Sequence, residues 1–422
     1  MDGRIYKAYL SILKEELLPA MGCTEPIAVA YASALARKAL GSLPEKCKVY
    51  VSGNILKNVK SVIVPNTGGL KGIKAAAAAG IVAGNADKVL QVLEDVTEDK
   101  LAEVKKYLNE SEICVLKAQN GCVFDIGVEV YAKGNSAFVR IEGHHTNVVE
   151  IKKNGKVLFS SSQAEEGNFT DRSVLSVDKI IEFINCVDVK DLDEIITKQI
   201  EYNTAISEEG LKNDYGATVG KILMRSFGNG VHNMAKAAAA AGSDARMNGC
   251  SLPVVIVSGS GNQGMTASLP VVVYAKHLGV SREKLIKAVA LSDLLTIHLK
   301  TGIGRLSAYC GAVSAGAGAG AGVCYLYGGT AEEISQTVVN AIAVNSGLIC
   351  DGAKSSCAAK IASSVEAGLL GMEMSRAGSK FCAGDGILDG GVENTIDNVC
   401  DIARVGMKET DEEIIKLMIK SI

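Results

Sequence analysis

The sequence predicts an α+β protein: an N-terminal helical pair, a small α/β-type sheet domain, and a large, mostly helical C-terminal domain. Two observations carry that reading. Between residues 45 and 160 the chain is rich in β-branched residues that partly alternate with polar ones, with turn signals between the runs. Before and after it, apolar residues recur at helical spacing and the runs are broken by glycine loops. The change of texture sets the expected boundaries at 1–44, 45–170 and 171–422.

The elements follow in order. Residues 4–19 carry a helical apolar stripe, and Pro19 lies near its end. "CTEPIAVAYASALARKALG" supplies a second helix, with Thr24 as N-cap, Pro26 in the first turn and Gly41 as terminator. The two helices meet at 21–24, which puts Cys23 at a helix N-terminus. Both are expected to pack on the C-terminal domain. "CKVYVSG", "KSVIVPN", "EICVLKA", "VFDIGVEVYAKGN" and "AFVRIEGHHTNVVEI" read as strands, interrupted by the helical insert 72–96. After about residue 170 helices dominate, separated by glycine loops at 258–264, 300–311, 350–357 and 381–391. The Gly/Ala run 315–322 reads as a helix packed against another backbone, and "TDEEIIKLMIKSI" as a capped amphipathic helix.

Composition narrows the function. The 422 residues are 48% hydrophobic with a net charge of only −3, and the basic residues are dispersed, so neither a nucleic-acid surface nor a polybasic membrane patch is expected. The N-terminal stretch lacks a signal peptide's apolar run, and no segment reads as a membrane span. A cytoplasmic location is expected. There the 12 cysteines would stay reduced, serving as core filler or as ligands.

Four cysteines stand apart. Cys23, Cys310, Cys350 and Cys357 lie among Gly, Ser, Lys, Asp or Thr at element boundaries, where a metal can be reached. Cys47, Cys114, Cys122, Cys186, Cys250, Cys324, Cys382 and Cys400 read as structural. The loop "SGSGNQG" offers backbone N–H groups to a carboxylate or phosphate, with Ser260 and Asn262 as candidate contacts, or simply turns the chain. "VPNTGGLKG" offers Asn66, Thr67 and Gly68 in the same two senses. "GHHTN" places His145 and Thr146 as a polar platform or a general acid/base. Lys300 and Arg305 flank a glycine turn before Cys310 and would make that corner electropositive.

Taken together, "AMGCTEPIAVAYASA", "VPNTGGLKG", "SGSGNQGMTASLPV", "KTGIGRLSAYCGAVSAG" and "CDGAKSSCAAKI" resemble the iron–sulfur L-cysteine desulfidases, in the same order from Met21 to the end. That family is related to the α-chain of the iron–sulfur L-serine dehydratases. The resemblance implies a 4Fe–4S cluster without pyridoxal phosphate, and conversion of L-cysteine to pyruvate, ammonia and hydrogen sulfide. It implies Cys310, Cys350 and Cys357 as cluster ligands. The loop "CDGAKSSC" is shorter than its counterpart in the dehydratases, which puts Cys357 in doubt, and Cys23 is the alternative third ligand or the group covering the fourth iron. Cys23 is otherwise the expected base for the Cα proton, on the ground that a helix N-terminus lowers a thiol pKa; His145 and Lys300 are its rivals. An iron–sulfur L-serine dehydratase, or a non-catalytic amino-acid or cluster-binding protein, shares most of these features. The expected partner is a small amino acid, L-cysteine or L-serine, and size and helix content allow a homodimer.

Overall fold

A computed structural model describes residues 1–161, 169–304 and 306–420. It is 61% helical and 12% strand, with one mixed sheet, which makes it an α+β fold. Helix α1 (Gly3–Glu16) is capped by Asp2, whose carboxylate accepts from the Arg4 N–H at 2.7 Å. A short strand β1 (Pro19–Met21) follows, and then α2 (Thr24–Leu40), which ends on Gly41 at φ 86°. The N-cap of α2 is Cys23, and Thr24 is already in the first turn: the Thr24 hydroxyl donates to the Gly259 carbonyl at 2.9 Å instead of capping.

The sheet runs β3 (Glu112–Lys117), β2 (Lys46–Val51), β4 (Asp125–Ala132), β5 (Asn135–Glu142), β6 (Val148–Lys153), β7 (Lys156–Ser160), and only β2 and β3 are parallel. The expected strand "KSVIVPN" is not one. Helix α3 (Gly53–Val59) precedes it, and Pro65, which has no N–H to give a ladder, and Asn66 at φ 56° fold residues 62–71 into a turn with a single bridge, Ile63 to Lys71. Helix α4 (Gly72–Ala83) packs on α2, where a Cβ on Gly80 would lie 2.1 Å from the Ala30 carbonyl oxygen. Helix α5 (Glu98–Glu110), unread in the sequence, packs on α4.

The two N-terminal helices part company. α1 packs on helices of the C-terminal half, but α2 lies on β4 and β5 and against α4, so it belongs to the sheet layer and not, as expected, to the C-terminal helices. The reason is its all-round apolar, small-residue surface, which suits burial between a sheet and a second helix. A two-stranded ribbon, β1 with β8 (Pro253–Val255), links the halves.

The helical half comprises α6 (Val177–Cys186), α7 (Val189–Lys212), α8 (Val219–Phe227), α9 (Val231–Met247), α10 (Gly261–Leu278), α11 (Arg282–Ile303), α12 (Gly311–Leu326), α13 (Ala331–Asn345), α14 (Cys357–Arg376), α15 (Val392–Asp401) and α16 (Lys408–Lys420). Its centre is α12, the Gly/Ala run, packed by α10, α11, α13 and α14. A Cβ on Gly320 would lie 2.2 Å from the Gly368 carbonyl oxygen, and one on Gly368 2.0 Å from the Gly316 oxygen. Backbones in such contact leave no room for a methyl. Gly320→Ala is therefore expected to destabilise the fold by about 3 kcal/mol, the upper end for overpacking, read as a lowered midpoint in urea unfolding; an unchanged midpoint would refute this account of the glycine run.

Across the same core, Asp293 on α11 is fully buried, and its Oδ1 accepts from Gln199 Nε2 at 2.9 Å. Burial pushes the carboxyl up to about 8, opposed only in part by that hydrogen bond. Its folded-state pKa is thus above its unfolded value, so the stabilising contribution is complete below about pH 4 and is lost as pH rises toward about 8. Asp293→Asn is expected to flatten that decline, by on the order of a few kcal/mol between pH 5 and 8, in urea titrations at the two pH values.

Among the described residues no helix is long and apolar enough to cross a membrane. Of the cysteines read as structural, Cys47, Cys250, Cys324 and Cys400 are buried, whereas Cys122, Cys186 and Cys382 are exposed and fill no core.

Candidate functional site

The site forms where several distant segments meet. At its centre is the corner "MGCTEP". Gly22 sits at φ +54° with no room for a side chain, since a Cβ there would lie 2.0 Å from Pro65 Cγ. Cys23 is buried in one small apolar group with Val62, Met247, Ala353 and Cys357. Its thiol donates to Glu25 Oε2 at 3.1 Å, and Asn58 Nδ2 donates to Glu25 Oε1 at 2.9 Å. Burial raises the Cys23 pKa well above an ordinary thiol, and the Glu25 charge adds to this; Arg246 opposes. The expected depression by the helix N-terminus is therefore overturned, because desolvating a thiolate outweighs a helix dipole. Glu25 goes the other way. Burial works against its charge, yet the His145 ring, the Cys23 thiol and the Arg246 guanidinium hold its carboxyl below the usual range.

The other cysteines gather on a second side. Tyr309 and Ile349 form an antiparallel bridge, with the Cys310 N–H donating to the Leu348 carbonyl at 3.0 Å and the Cys350 N–H to the Ala308 carbonyl at 2.5 Å. Cys310 then caps α12, and Cys357 opens α14. Burial, with the neighbouring Cys350 adding to it, pushes the Cys310 thiol up to about 12; burial also raises Cys357, while Lys354 and Lys360 oppose. Those two lysines both bind Asp351; burial works against its ionisation, but they hold its carboxyl down at about 2. Ser355 in the same loop donates to Asn248 Oδ1 at 2.8 Å, which fastens the loop to the end of α9.

The remaining expected residues divide. His145 is buried, edge-on to Phe124 at 4.8 Å, and close enough to act on Glu25. Thr146 lies beside it with its hydroxyl 3.4 Å from His144 Nδ1. Ser260 starts α10 without a side-chain cap bond, and Asn262 Oδ1 accepts from Arg246 Nη1 at 3.1 Å. By contrast, Asn66 Nδ2 donates to the Leu93 carbonyl at 2.9 Å, the Thr67 hydroxyl to the Val64 carbonyl at 2.6 Å, and Gly68 faces α5 at Leu101. Thr67 thus holds its own turn, Asn66 ties the turn to the 93–94 backbone, and Gly68 offers no side chain. Lys300 Nζ donates to the Gly304 carbonyl at 2.6 Å and closes the end of α11. Arg305 lies outside the described residues.

A model of the serine dehydratase alpha chain matches residues 87–416, which includes all three clustered cysteines and most of the helical half. The chain belongs to the serine dehydratase alpha-chain family. It is also similar along its whole length to UPF0597 proteins: 54% identical over 420 residues to one from Desulfitobacterium hafniense, covering 99% of this chain and 98% of the relative. One from Lachnoclostridium phytofermentans is 51% identical over 417 residues (98% and 100%), and one from Treponema denticola 46% over 428 (100% and 99%). These names specify no substrate, so the substrate has to come from the site.

Beyond the cysteines, the serine dehydratase alpha-chain fold here holds four polar residues that the sequence reading left without a role. Glu25 and Asn58 are described above. Arg246 is 2% exposed at the end of α9, and Gly261 lies so near it that a Cβ would fall 2.5 Å from Arg246 Nε. Gln263 is buried against Gly311, 2.7 Å from where a Cβ would stand, and so borders Cys310. Asn58 Oδ1, Arg246 Nε and Gln263 Oε1 are buried without a hydrogen-bond partner. Leaving such groups unpaired costs about 1–3 kcal/mol each, more for a charged one. Other buried polar atoms are left the same way elsewhere in the fold, but these three border Glu25 and Cys310, where a polar ligand could complete them. Glu25 and Gln263 were within sight, the first two residues past Cys23 in the same motif and the second beside Asn262 in "SGSGNQG"; Arg246 and Asn58 carried no local signal, since each faces the site only through the tertiary fold.

Proposed function

We propose that the protein is an iron–sulfur β-eliminating lyase that converts L-cysteine to pyruvate, ammonia and hydrogen sulfide in the cytoplasm. The observation that carries the reading is the convergence of four thiols with an unpaired, buried set of polar groups of both signs. Arg246 Nε suits a carboxylate; Asn58 Oδ1 and Gln263 Oε1, with the Glu25 charge, suit an ammonium. Together they match the zwitterion of a small amino acid.

The donor set fits a cluster. Among the described residues no three His, Cys, Asp or Glu groups converge on one ion, but the thiolates of a cluster bind different irons and stand apart by its width. Cys310, Cys350 and Cys357 lie on three element ends within electrostatic reach of one another, and each would exchange its proton for iron. When bound, a 4Fe–4S cluster held by three thiolates supplies an iron with an open position, a Lewis acid. The family's iron–sulfur members and the cysteine layout support this cofactor, and the reading assigns no part to pyridoxal phosphate.

The chain's own residues supply the rest. Arg246 orients the substrate carboxylate and withdraws charge from Cα. The base is the Cys23–Glu25 pair: Glu25 Oε2 takes the thiol proton across the 3.1 Å contact, and the Cys23 sulfur removes the Cα proton. The Cα–H electrons form the Cα–Cβ double bond as the Cβ–S bond breaks; HS⁻ leaves with the Cβ–S electron pair and takes the proton held by Glu25 to become hydrogen sulfide. The aminoacrylate so formed tautomerises to an imine and is hydrolysed to pyruvate and ammonia. Equilibrium binding to metal-free protein tests the pocket. L-Cysteine and L-serine should bind, while cysteamine, without a carboxylate, and 3-mercaptopropionate, without an ammonium, should each bind at least about tenfold more weakly, one lost charged contact. Equal affinity for all four would sink the zwitterion assignment. The family name favours L-serine as the second reading, and turnover separates the two.

A further inference from the structure

The short helix α3 meets the Cys23–Glu25 corner, the 350–357 loop and the segment before Cys310 without contributing a thiol. Asn58 binds Glu25. The Lys57 carbonyl lies 2.2 Å from where a Cβ on Gly352 would stand, so the 350–357 loop rests on α3 backbone; Gly352, at φ +93°, has no side chain to prevent it. The Lys57 side chain runs the other way. It is 2% exposed, and its Nζ donates to Asp411 Oδ1 on α16 at 2.5 Å and to the Ser307 carbonyl at 3.5 Å. Ser307 in turn receives the Tyr309 N–H on its hydroxyl at 2.9 Å and donates to the Ala403 carbonyl at 3.4 Å. That places the Lys57 ammonium three residues from Cys310, between the two cysteine segments and the C-terminal helix. Lys60 Nζ adds a second tie to α16, at the Met418 carbonyl, 2.5 Å away.

We infer that Lys57 is a positioning residue: it locks the Cys310 segment to the Cys350–Cys357 loop and ties their spacing to the seating of α16. A buried ion pair adds little net stability over an apolar pair of equal volume, so what Lys57 contributes at this place is geometry. Asp411 matters through Lys57, because without its charge the ammonium loses its anchor and the hold on Ser307 loosens. The loaded-protein part of the inference rests on the iron–sulfur reading; the part concerning thiol spacing does not.

The experiment uses the full chain in two forms. In metal-free protein, alkylation of Cys310 and Cys350 by iodoacetamide is timed by peptide mass spectrometry, with buried Cys324 as the control for global opening. Lys57→Met and the milder Asp411→Asn are expected to speed labelling of Cys310 and Cys350 by about tenfold, as local opening of the two segments becomes easier, and to leave Cys324 unchanged. Lys57→Arg, which keeps the charge, should restore most of the protection. In anaerobically reconstituted protein, Lys57→Met should alter the visible and electron paramagnetic spectra of the bound iron and hasten bleaching in air. Wild-type labelling rates in both Lys57→Met and Asp411→Asn, or equal acceleration at Cys324, would overturn the inference. If wild-type protein takes up no iron, the cofactor reading fails and the labelling rates still decide the role of Lys57.

Discussion

Cys350→Ala is expected to lose bound iron and to cut sulfide release from L-cysteine by more than about 100-fold, the loss seen when only a ligand's supporting partner is removed. The fold should survive it. The thiol is half-buried, and the backbone bond from residue 350 to the Ala308 carbonyl needs no side chain. Cys324→Ala supplies the contrast. That thiol is buried near the C-terminal end of α12, the opposite end from Cys310, against Gly329, so its loss should cost about 1–2 kcal/mol of stability and leave iron content unchanged. Iron and acid-labile sulfide per chain, measured beside circular dichroism, check both. A Cys350→Ala protein with full iron would remove that residue from the ligand set.

Arg246→Met is expected to lower kcat/KM for L-cysteine by roughly 30- to 4,000-fold, the equivalent of the 2–5 kcal/mol lost when one partner of a buried charge pair is truncated. Two effects add. The substrate carboxylate loses its cation, which raises KM. Glu25 also loses one of the charges that hold it ionised in a buried place, which lowers kcat by leaving Cys23 without its proton acceptor. The second effect has a pH signature: with the Glu25 pKa moved up, the acid limb of the kcat profile should shift to higher pH. A variant that loses only KM, with an unmoved acid limb, would separate Arg246 from the base.

Much of this arrangement was legible in the chain. The switch from alternating to helical texture marks the sheet and the helical half, and the Gly/Ala run is a packed helix because every other residue lacks a Cβ where another backbone crosses. The cysteines of the 300–311 and 350–357 loops were visible because they sit in polar loops and not in apolar stripes. What escaped has physical causes. "KSVIVPN" alternates like a strand, but Pro65 and Asn66 break it. The α2 helix has apolar residues on all sides, so its pattern could not say which layer it joins. Cys23 carries the signs of a low-pKa thiol, a helix N-terminus, yet its pKa is set by burial and by Glu25, which are properties of the folded state. Asn66 and Thr67 resemble ligand contacts and Arg246 does not; the first two spend their side chains on backbone carbonyls, of residues 93–94 and 64 respectively, and Arg246 is brought to Glu25 by the packing of α9 against the N-terminal corner.

The most direct test of the central claim is an anaerobic assay of iron-reconstituted protein, following sulfide and pyruvate from L-cysteine, and pyruvate from L-serine in parallel. The account predicts iron-dependent release of sulfide and pyruvate in equal amounts from L-cysteine. Pyruvate from L-serine with no sulfide from L-cysteine, or bound iron without turnover of either amino acid, would contradict it.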